Sequence, residues 1–529
     1  MTQTAPADGT TLIERLLSAA AYPHAVATPV RLVETHISRV LLTGEFAYKL
    51  KKPVRLAFLD YSTLERRRQF CEEELRLNRR YAPDLYLGVS AIAGPETAPR
   101  VDGTGDAVEY AVKMRQFDPS DELDALVDAG RVDAGDVATL GARIATFHAA
   151  AGRVDPASPF GRPDAVQRVT LANFAELRRL PEMSSRDAAL RGLERWIAGE
   201  FGHLRDLMQS RRDAGRVREC HGDLHCGNVV RWACELTPFD GIEFDPALRY
   251  LDVASDLAFL TMDLAVRGRR DLRHATLQAW AETLGDFEAL RLLPYFETYR
   301  ALVRAKVAAL RALQHPAASE ERTRDCAAVL RYADWACARA RGARPALLIT
   351  CGYSGSGKTR LAHSLAPELH ALHLRSDVER KRLAGLGPLD DSRSPPDGGI
   401  YSAEYTRRTY RRLRDCAADA LAGGENVIVD AAFLKRDERE RMLALADGLA
   451  APAAILHCVA PMDVLRERVA GRSRARTDAS EAGVATLLRQ PGFWEDLGAA
   501  ELERAVTVDT SVPDAATACR AALRRFGVG

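Results

Sequence analysis

Eight residues in the C-terminal third have the residue types and spacing of a phosphate-binding loop. Residues 352–359 fit the pattern G-x-x-x-x-G-K-[ST] at every fixed position. Its glycines let backbone N–H groups turn toward phosphate oxygens, while Lys358 supplies a charge for the β- and γ-phosphates and Thr359 a hydroxyl for Mg²⁺. We therefore expect ATP to be bound through Gly352, Ser354, Gly355, Ser356, Gly357, Lys358 and Thr359.

Two carboxylates follow predicted strands in the same region. Asp377 comes just after the apolar run 371–375, and Asp430 ends the run that begins at residue 426. Because open parallel sheets bind ligands beyond the carboxyl ends of their strands, both acids are candidates. Asp377 would accept the proton of an attacking hydroxyl, and Asp430 would position Mg²⁺, its waters or the acceptor. The alternative for each is a helix cap or a turn residue.

An arginine-rich segment, residues 465–474, follows these acids. Arg468, Arg472 or Arg474 would then belong to a lid that meets the transferring phosphate. The alternative is a solvated helix face, which is how most charge runs are placed. A second basic stretch, residues 407–412, is interpreted as solvated surface.

A second catalytic pattern lies in the N-terminal half, where residues 221–228 read H-G-D-L-H-C-G-N. An Asp and an Asn five residues apart, before an apolar strand, form the arrangement of a kinase catalytic loop. Asp223 would accept or orient a hydroxyl, and Asn228 would reach a metal bound to the phosphates. A further acidic metal ligand should end the next strand, and the alternatives there are Asp240, Glu243 and Asp245.

Upstream, Lys49 is the candidate for the strand lysine that grips the ATP phosphates, with Lys51 and Lys52 as competitors. Its acidic partner should lie on the following helix, at Glu73 or Glu74, and Glu73 is assigned to the site. The sequence has no G-x-G-x-x-G loop here, and residues 114–117 would be the hinge that contacts adenine.

The predicted secondary structure that positions these residues changes along the chain. Extended segments and one charged helix before residue 116 predict a small sheet, and helices follow it around a polar island at 219–251. After residue 345, five apolar runs alternate with helices, which predicts a parallel, doubly wound sheet. We therefore expect a two-lobed, protein-kinase-like α+β domain followed by an α/β domain, with these limits: N-terminal segment 1–29, kinase-like domain 30–338, P-loop domain 345–529.

Composition narrows the function classes. The 529 residues carry a formal net charge of +1, which argues against a dedicated nucleic-acid binder. The ten cysteines form no C-x-x-C pair, as expected for reduced thiols. Residues 1–9 lack the pattern of a signal peptide, and no apolar run reaches the length of about 20 residues that a membrane span needs. A cytoplasmic protein is expected.

The C-terminal motifs resemble those of the small P-loop kinases that include gluconate kinase, polynucleotide 5′-kinase and the zeta-toxin sugar-nucleotide kinases. The resemblance covers about residues 345–525 and implies phosphoryl transfer from ATP to a hydroxyl. It implies Asp377 as the base and the arginines as lid residues.

The H-G-D-x-H-x-x-N pattern resembles the aminoglycoside-phosphotransferase and choline-kinase group over about residues 30–335. That resemblance implies Asp223 as the catalytic base and Asn228 as a Mg²⁺ ligand, with Asp252 and Asp256 bracing the loop. It also places Glu243 in the register where the group has a metal-binding Asp. Together the halves resemble the architecture described as bifunctional aminoglycoside phosphotransferase/ATP-binding protein.

The function expected is that of an enzyme with two kinase domains. Each would use ATP and Mg²⁺ to phosphorylate a small-molecule hydroxyl, on a sugar, a cyclitol or an amino alcohol. Two alternatives remain open: one half is a nucleotide-binding module that regulates the other, or the C-terminal half is a polynucleotide 5′-kinase.

Overall fold

The structure is a computed structural model that describes residues 10–56, 59–95, 97–395, 398–475 and 478–528. The chain folds into two compact units, formed by Met1–Val169 with Arg205–Asp263 and by Thr170–Leu204 with Leu264–Gly529. Its cysteines are free thiols. Within the described ranges, no helix combines the length and the apolar character that crossing a membrane requires.

The first unit begins with the expected small sheet. Its strands are β1 Arg31–Glu34, β2 Ser38–Leu42, β3 Phe46–Lys51, β4 Arg55–Leu56, β5 Leu59–Asp60, β6 Tyr86–Ala93, β7 Arg100–Val101 and β8 Ala107–Arg115. Six of them form one antiparallel sheet in the order β1-β2-β3-β8-β6-β7. The helices of this stretch are α1 Thr10–Leu16 and α2 Leu64–Asn78.

Alternation along β3 determines which of its side chains face α2. Tyr48 and Leu50 are buried in a cluster with residues of α1, whereas Ala47 packs with Cys71 of α2. Because successive side chains of a strand point to opposite faces, Lys49 and Lys51 share the face of Ala47. Helix α2 begins after Thr63, whose hydroxyl accepts a hydrogen bond from the Arg66 backbone N–H at 3.3 Å.

A long helical region follows, interrupted by short strands. Its helices are α3 Leu123–Asp128, α4 Ala134–Ala150, α5 Pro163–Arg178, α6 Asp187–Asp213, α7 Pro246–Arg249, α8 Val253–Val266, α9 Arg270–Leu284, α10 Leu293–Ala312 and α11 Glu320–Ala340. The strands in the interruption are β9 Val217–Glu219, β10 Val229–Trp232, β11 Glu235–Pro238 and β12 Tyr250–Asp252. They form the antiparallel pairs β10–β11 and β9–β12.

The five apolar runs predicted as strands after residue 345 are the strands of one parallel sheet. They are β13 Leu347–Cys351, β14 Ala371–Arg375, β15 Asn426–Asp430, β16 Ala453–Val459 and β17 Ala505–Asp509, in the order β14-β15-β13-β16-β17. The helices around them are α12 Lys358–Leu369, α13 Ser376–Leu383, α14 Ala403–Ala422, α15 Arg436–Gly448, α16 Met462–Ala475, α17 Val484–Arg489, α18 Ala499–Glu503 and α19 Ala515–Leu523. The expected doubly wound sheet is confirmed.

Buried polar contacts tie the helices before residue 340 to this sheet. Arg273 of α9 lies 2.9 Å from Glu297 and 2.6 Å from Glu425, which precedes β15. The Gln278 side chain accepts from the His373 backbone N–H (2.8 Å) and donates to the His373 carbonyl (3.2 Å), so it covers the exposed edge of β14. The compact unit therefore contains both sides of the predicted linker, and the domain limits 30–338 and 345–529 remain a prediction.

The buried guanidinium of Arg273 should make a large contribution to the stability of this unit. We expect Arg273→Met to lower the free energy of unfolding by about 3 kcal/mol, because Glu425 and Glu297 would lose a partner in a buried site. Arg269→Met is the matched control, since Arg269 pairs with the exposed Asp271 and should cost about 0–1 kcal/mol. Denaturant unfolding of the full chain measures both, and equal losses would contradict the prediction.

Candidate functional site

The predicted phosphate loop leaves the end of β13 and leads into α12. Gly352 has φ 136°, and a Cβ there would overlap the Cys458 carbonyl. Gly355 has φ 81°, and a Cβ there would lie 2.8 Å from the Leu465 carbonyl. Both positions therefore require glycine. The loop places its backbone N–H groups at the N-terminus of α12, where the helix dipole favours an anion.

Lys358 lies across this loop. Its Nζ donates to the carbonyls of Gly352 (2.9 Å) and Tyr353 (2.8 Å). Burial lowers the pKa of Lys358, and the nearby carboxylate of Asp430 opposes that shift. The ammonium group is thus held within the turn that would surround the phosphates.

Asp430 ends β15, the strand that pairs with β13, and is only 5% exposed. Its carboxylate lies 3.1 Å from His373 Nε2 and 3.3 Å from the Thr350 hydroxyl, and it also accepts a hydrogen bond from Thr359. Burial would raise the pKa of Asp430, but these hydrogen bonds and the charge of Lys358 hold it below its usual value. The two groups expected to serve Mg²⁺, Thr359 and Asp430, therefore lie in contact.

Asp377 stands in the first turn of α13, directly after β14. It lines the same cavity of about 440 Å³ as Lys358, Thr359 and Asp430. Tyr401 also lines this cavity, and its hydroxyl donates to Glu481 at 3.3 Å; burial together with the Asp377 charge raises the pKa of Tyr401. The structure thus brings both predicted carboxylates to one space beside the phosphate loop.

Arg468 and Arg472 are one turn apart on α16, and both line this cavity. Arg468 donates to the Thr510 hydroxyl and carbonyl, each at 2.9 Å, and to the Gly355 carbonyl at 3.3 Å. Arg472 donates to the Ala482 carbonyl at 3.0 Å, and its Nε is buried without a partner among the described residues. The side chain of Arg474 lies outside the described residues.

Sequence analysis missed Gln490. Its amide oxygen accepts from the Ser354 backbone N–H at 2.7 Å, and its amide nitrogen donates to the Ser354 hydroxyl at 3.1 Å. The contact joins residues 136 positions apart, so no local pattern predicts it.

In the first unit, Lys49 pairs with a different glutamate from Glu73, the one assigned to the site. Lys49 Nζ lies 2.9 Å from Glu74 and also pairs with Asp240, whereas Glu73 pairs with Arg76 and Arg249. The reason is helical phase, because adjacent residues on α2 point about 100° apart and only Glu74 faces the sheet. Burial alone would lower the pKa of Lys49, but Asp240 and Glu74 raise it well above its usual value.

The catalytic-loop pattern forms the expected cluster. The Asn228 side-chain amide donates to the Asp223 carbonyl (2.9 Å) and carboxylate (3.0 Å). Asp256 accepts from the backbone N–H groups of His221 (3.2 Å) and Gly222 (2.8 Å), and it lies 3.1 Å from the His148 ring. Asp256 therefore contacts the loop as the resemblance implied.

The three candidate metal-binding acids lie in different surroundings. Asp240 follows β11 and Phe239, whose backbone N–H donates to the Asn228 carbonyl at 2.9 Å, and the Asp240 side chain is 42% exposed. Glu243 is buried against Lys51 and Tyr61, and Asp245 caps α7 through the Ala247 N–H at 2.8 Å. The ammonium group of Lys51 neutralises Glu243, and that of Lys49 neutralises Asp240, so the choice of the metal-binding acid stays a prediction. Asp240 is the more exposed of these two acids.

Comparison with known proteins places the chain among uncharacterised relatives. It is 31% identical over 468 residues to the uncharacterized protein Rv2004c of Mycobacterium tuberculosis, covering 87% of this chain and 90% of that protein, and equally to Mb2027c of Mycobacterium bovis. The chain belongs to the family of these mycobacterial proteins. In this family member, residues 347–495 match the family model described as AAA domain.

Solved structures similar to parts of the chain include several kinases. A gluconokinase from Sinorhizobium meliloti is 22% identical over 35% of this chain and 93% of its own, with a TM-score of 0.26. A choline/ethanolamine kinase family protein from Mesorhizobium loti is 12% identical over 62% of this chain and 99% of its own, with a TM-score of 0.36. Because these TM-scores are low, the description of the two kinds of domain depends on the two sheets, the loops 221–228 and 352–359, and the match to the AAA domain.

The expected architecture is confirmed in its main features. A small antiparallel sheet and a helical region that contains the loop 221–228 precede the parallel-sheet P-loop domain, and the family model covers most of that domain.

The bracing acid of the catalytic loop should contribute measurably to stability. Asp256 is fully buried, and although burial would raise its pKa, the His148 contact and the loop N–H groups lower it to about 2. A carboxyl group that has a lower pKa in the folded than in the unfolded chain stabilises the fold at pH values above its unfolded pKa. That contribution is lost as the pH falls from about 4 to about 2.

We therefore expect Asp256→Asn to lower the free energy of unfolding at pH 7 by about 2 kcal/mol or more and to flatten its dependence on pH below 4. Asp164→Asn, at an exposed pair with Arg205, is the control and should change neither quantity. Urea unfolding at pH 7, 4 and 3 measures both, and an unchanged pH dependence for Asp256→Asn would contradict the assignment.

Proposed function

We propose that the protein is an ATP- and Mg²⁺-dependent phosphotransferase with two sites, each of which transfers the γ-phosphoryl group of ATP to a hydroxyl of a small molecule. One observation carries the proposal: the phosphate-loop groups Lys358 and Thr359 line a single 440 Å³ cavity together with Asp377 and Asp430.

In the C-terminal site, Asp377 would orient the acceptor hydroxyl and take its proton. Lys358 and the loop N–H groups would bind the β- and γ-phosphates, and the charge of Arg472, which lines the same cavity, would stabilise the transferring group. The oxygen donors Thr359 and Asp430 suit Mg²⁺, which when bound neutralises phosphate charge. Positioning and charge neutralisation account for catalysis of this kind.

In the N-terminal site, Asp223 would take the proton of the acceptor, and Lys49 would bind the ATP phosphates. Asn228 and Asp240 offer the amide and carboxylate oxygens that suit Mg²⁺. Glu74 would keep Lys49 in place, as the strand-lysine and helix-glutamate pair does in protein kinases.

The acceptor classes proposed are sugars, cyclitols and amino alcohols, and the free thiols of the chain suit the reducing cytoplasm, where ATP is supplied. The regulatory alternative, in which one half gates the other, predicts a single catalytic site. Variants confined to one site therefore separate it from the two-enzyme proposal.

Replacing each phosphate-binding lysine separately tests the two sites. We expect Lys358→Ala to reduce the product of the C-terminal site, and Lys49→Ala that of the N-terminal site, each by about 100-fold or more, because each removes a charge that stabilises the transferring phosphoryl group. Lys52→Ala is the control, since Lys52 faces Glu34 outside both sites. ADP release and ³¹P NMR of the products, across a library of hydroxyl compounds, provide the measurement.

If Lys49→Ala leaves every turnover and product intact, the N-terminal half is not a phosphotransferase and the regulatory alternative is favoured. If a 5′-hydroxyl oligonucleotide is labelled, with labelling that weakens steeply as salt rises, the small-molecule assignment of the C-terminal site is wrong.

The choice of metal-binding acid in the N-terminal site makes a separate prediction. Asp240→Asn should raise the Mg²⁺ concentration for half-maximal activity by about 10-fold or more, because it removes an acidic oxygen donor. Glu243→Gln should leave the Mg²⁺ requirement unchanged but destabilise the fold, since Lys51 would lose a buried counter-charge. Mg²⁺ titrations and denaturant unfolding of both variants provide the test, and a raised Mg²⁺ requirement for Glu243→Gln alone would reverse the assignment.

A further inference from the structure

A buried arginine that sequence analysis did not single out lies one turn beyond Asp377 on α13. Arg380 is 8% exposed, and its terminal nitrogen donates to the Ile400 carbonyl (2.7 Å) and the Thr406 hydroxyl (3.2 Å). Its Nε is buried and has no hydrogen-bond partner among the described residues. Within those residues it also has no carboxylate at ion-pair distance. The guanidinium also lies 5.2 Å from the centre of the Tyr401 ring, and these contacts use only part of its hydrogen-bonding capacity.

Arg380 separates two cavities and lines both. One is the 440 Å³ cavity of the phosphate loop, and the other, of about 730 Å³, lies between α14 and α15. Tyr401, Tyr410 and Ala432 also line both cavities, so the two spaces adjoin along this boundary. The space beside Asp377 therefore borders the second cavity at Arg380.

The wall of the second cavity is predominantly basic. The positive side chains are Arg407, Arg411, Arg414, Lys435 and Arg441, and the negative ones are Asp437 and Glu438. Asp437 is already paired with Arg441 at 2.9 Å. Burial raises the pKa of Glu438 to about 7, so it is only partly charged at neutral pH. The remaining charge of the wall favours an anionic occupant.

Helical spacing accounts for part of this wall. Arg407, Arg411 and Arg414 follow one another at intervals of four and three residues, which places them on one face of α14. Arg407 and Arg411 are exposed, as the interpretation of residues 407–412 as solvated surface predicts, and they also lie at the edge of the cavity.

We propose that the acceptor of the C-terminal site is an anionic alcohol, whose carboxylate or phosphate group is bound by Arg380 while its hydroxyl meets Asp377. The inference rests on the proposed phosphotransferase function of this site. Side chains three residues apart on a helix start about 5–6 Å from each other, so the anionic group lies a few bonds from the reacting hydroxyl. The planar guanidinium fork matches either anion.

The reaction balances with these groups alone and ATP. The acceptor oxygen forms a bond to the γ-phosphorus, and its proton passes to Asp377. The bond from the γ-phosphorus to the bridging oxygen breaks, and ADP leaves with that oxygen. Arg380 takes no part in the bond changes and acts as a specificity-determining residue.

Matched acceptors test the proposal on the full chain. Gluconate is compared with glucitol for the carboxylate, and glucose 6-phosphate with glucose for the phosphate, in assays of ADP release that depend on Lys358. We expect one anionic compound to exceed its neutral counterpart in kcat/KM by about 10-fold or more, and the pair that shows the difference identifies the anion. Equal kcat/KM values in both pairs would overturn the inference and leave the phosphotransferase proposal intact.

Variants connect this preference to Arg380. Arg380→Gln should raise KM for the anionic acceptor by about 10- to 100-fold and leave KM for ATP unchanged. Arg380→Lys should give a KM between those of Arg380→Gln and the unsubstituted protein, because lysine restores the positive charge but not the planar fork. Arg408→Gln is the control: Arg408 is exposed on α14 and lines neither cavity. An unchanged KM for the anionic acceptor in Arg380→Gln would overturn the assignment.

Calorimetric binding of gluconate and glucose 6-phosphate to the protein loaded with a non-hydrolysable ATP analogue provides a measurement independent of turnover. If an anion binds through Arg380 but no Lys358-dependent turnover occurs, the phosphotransferase proposal fails and the anion site stands. If neither anion binds more tightly than its neutral counterpart, the anion site is refuted.

Discussion

The C-terminal site depends on the parallel pairing of β13 with β15. Their register, with Ile349 opposite Val429, brings the ends of both strands to one edge of the sheet. The phosphate loop leaves one strand there, and Asp430 ends the other, so Thr359 and Asp430 come into hydrogen-bonding contact. Since β13 is buried along its whole length, this geometry is held by the packing of the sheet rather than by the loop itself.

The N-terminal site has a comparable dependence on buried charge. Glu74 is fully buried between two lysines of β3, and their other carboxylate partners, Asp240 and Glu243, come from the segment after β11. Each ammonium group in this cluster has an opposite charge in contact, which is what allows so many ionised groups to be buried together. Of the two carboxylates from this segment, Asp240 remains half-exposed to solvent, whereas Glu243 is buried.

Much of the fold followed from local pattern. The five strands of the parallel sheet lie where apolar runs predicted them, because buried parallel strands need continuous apolar sequence. The phosphate loop and the catalytic loop were equally recognisable, since their chemistry requires particular residues at short, constant spacing. The choice of Glu73 over Glu74 as the partner of Lys49 was wrong. The rotation of one residue along the helix decided that pairing, and it has no local signature.

Short-range sequence was therefore sufficient to predict the phosphate loop, because eight consecutive residues contain it and backbone geometry restricts their types. The residues that surround this loop could be identified only from the tertiary structure. Arg380 looks like any charged residue of a helix until its burial, its unpartnered Nε and the two cavities beside it are seen together. The physical reason is that desolvation and electrostatic pairing depend on neighbours far away in the chain, as the contact between Ser354 and Gln490 also shows.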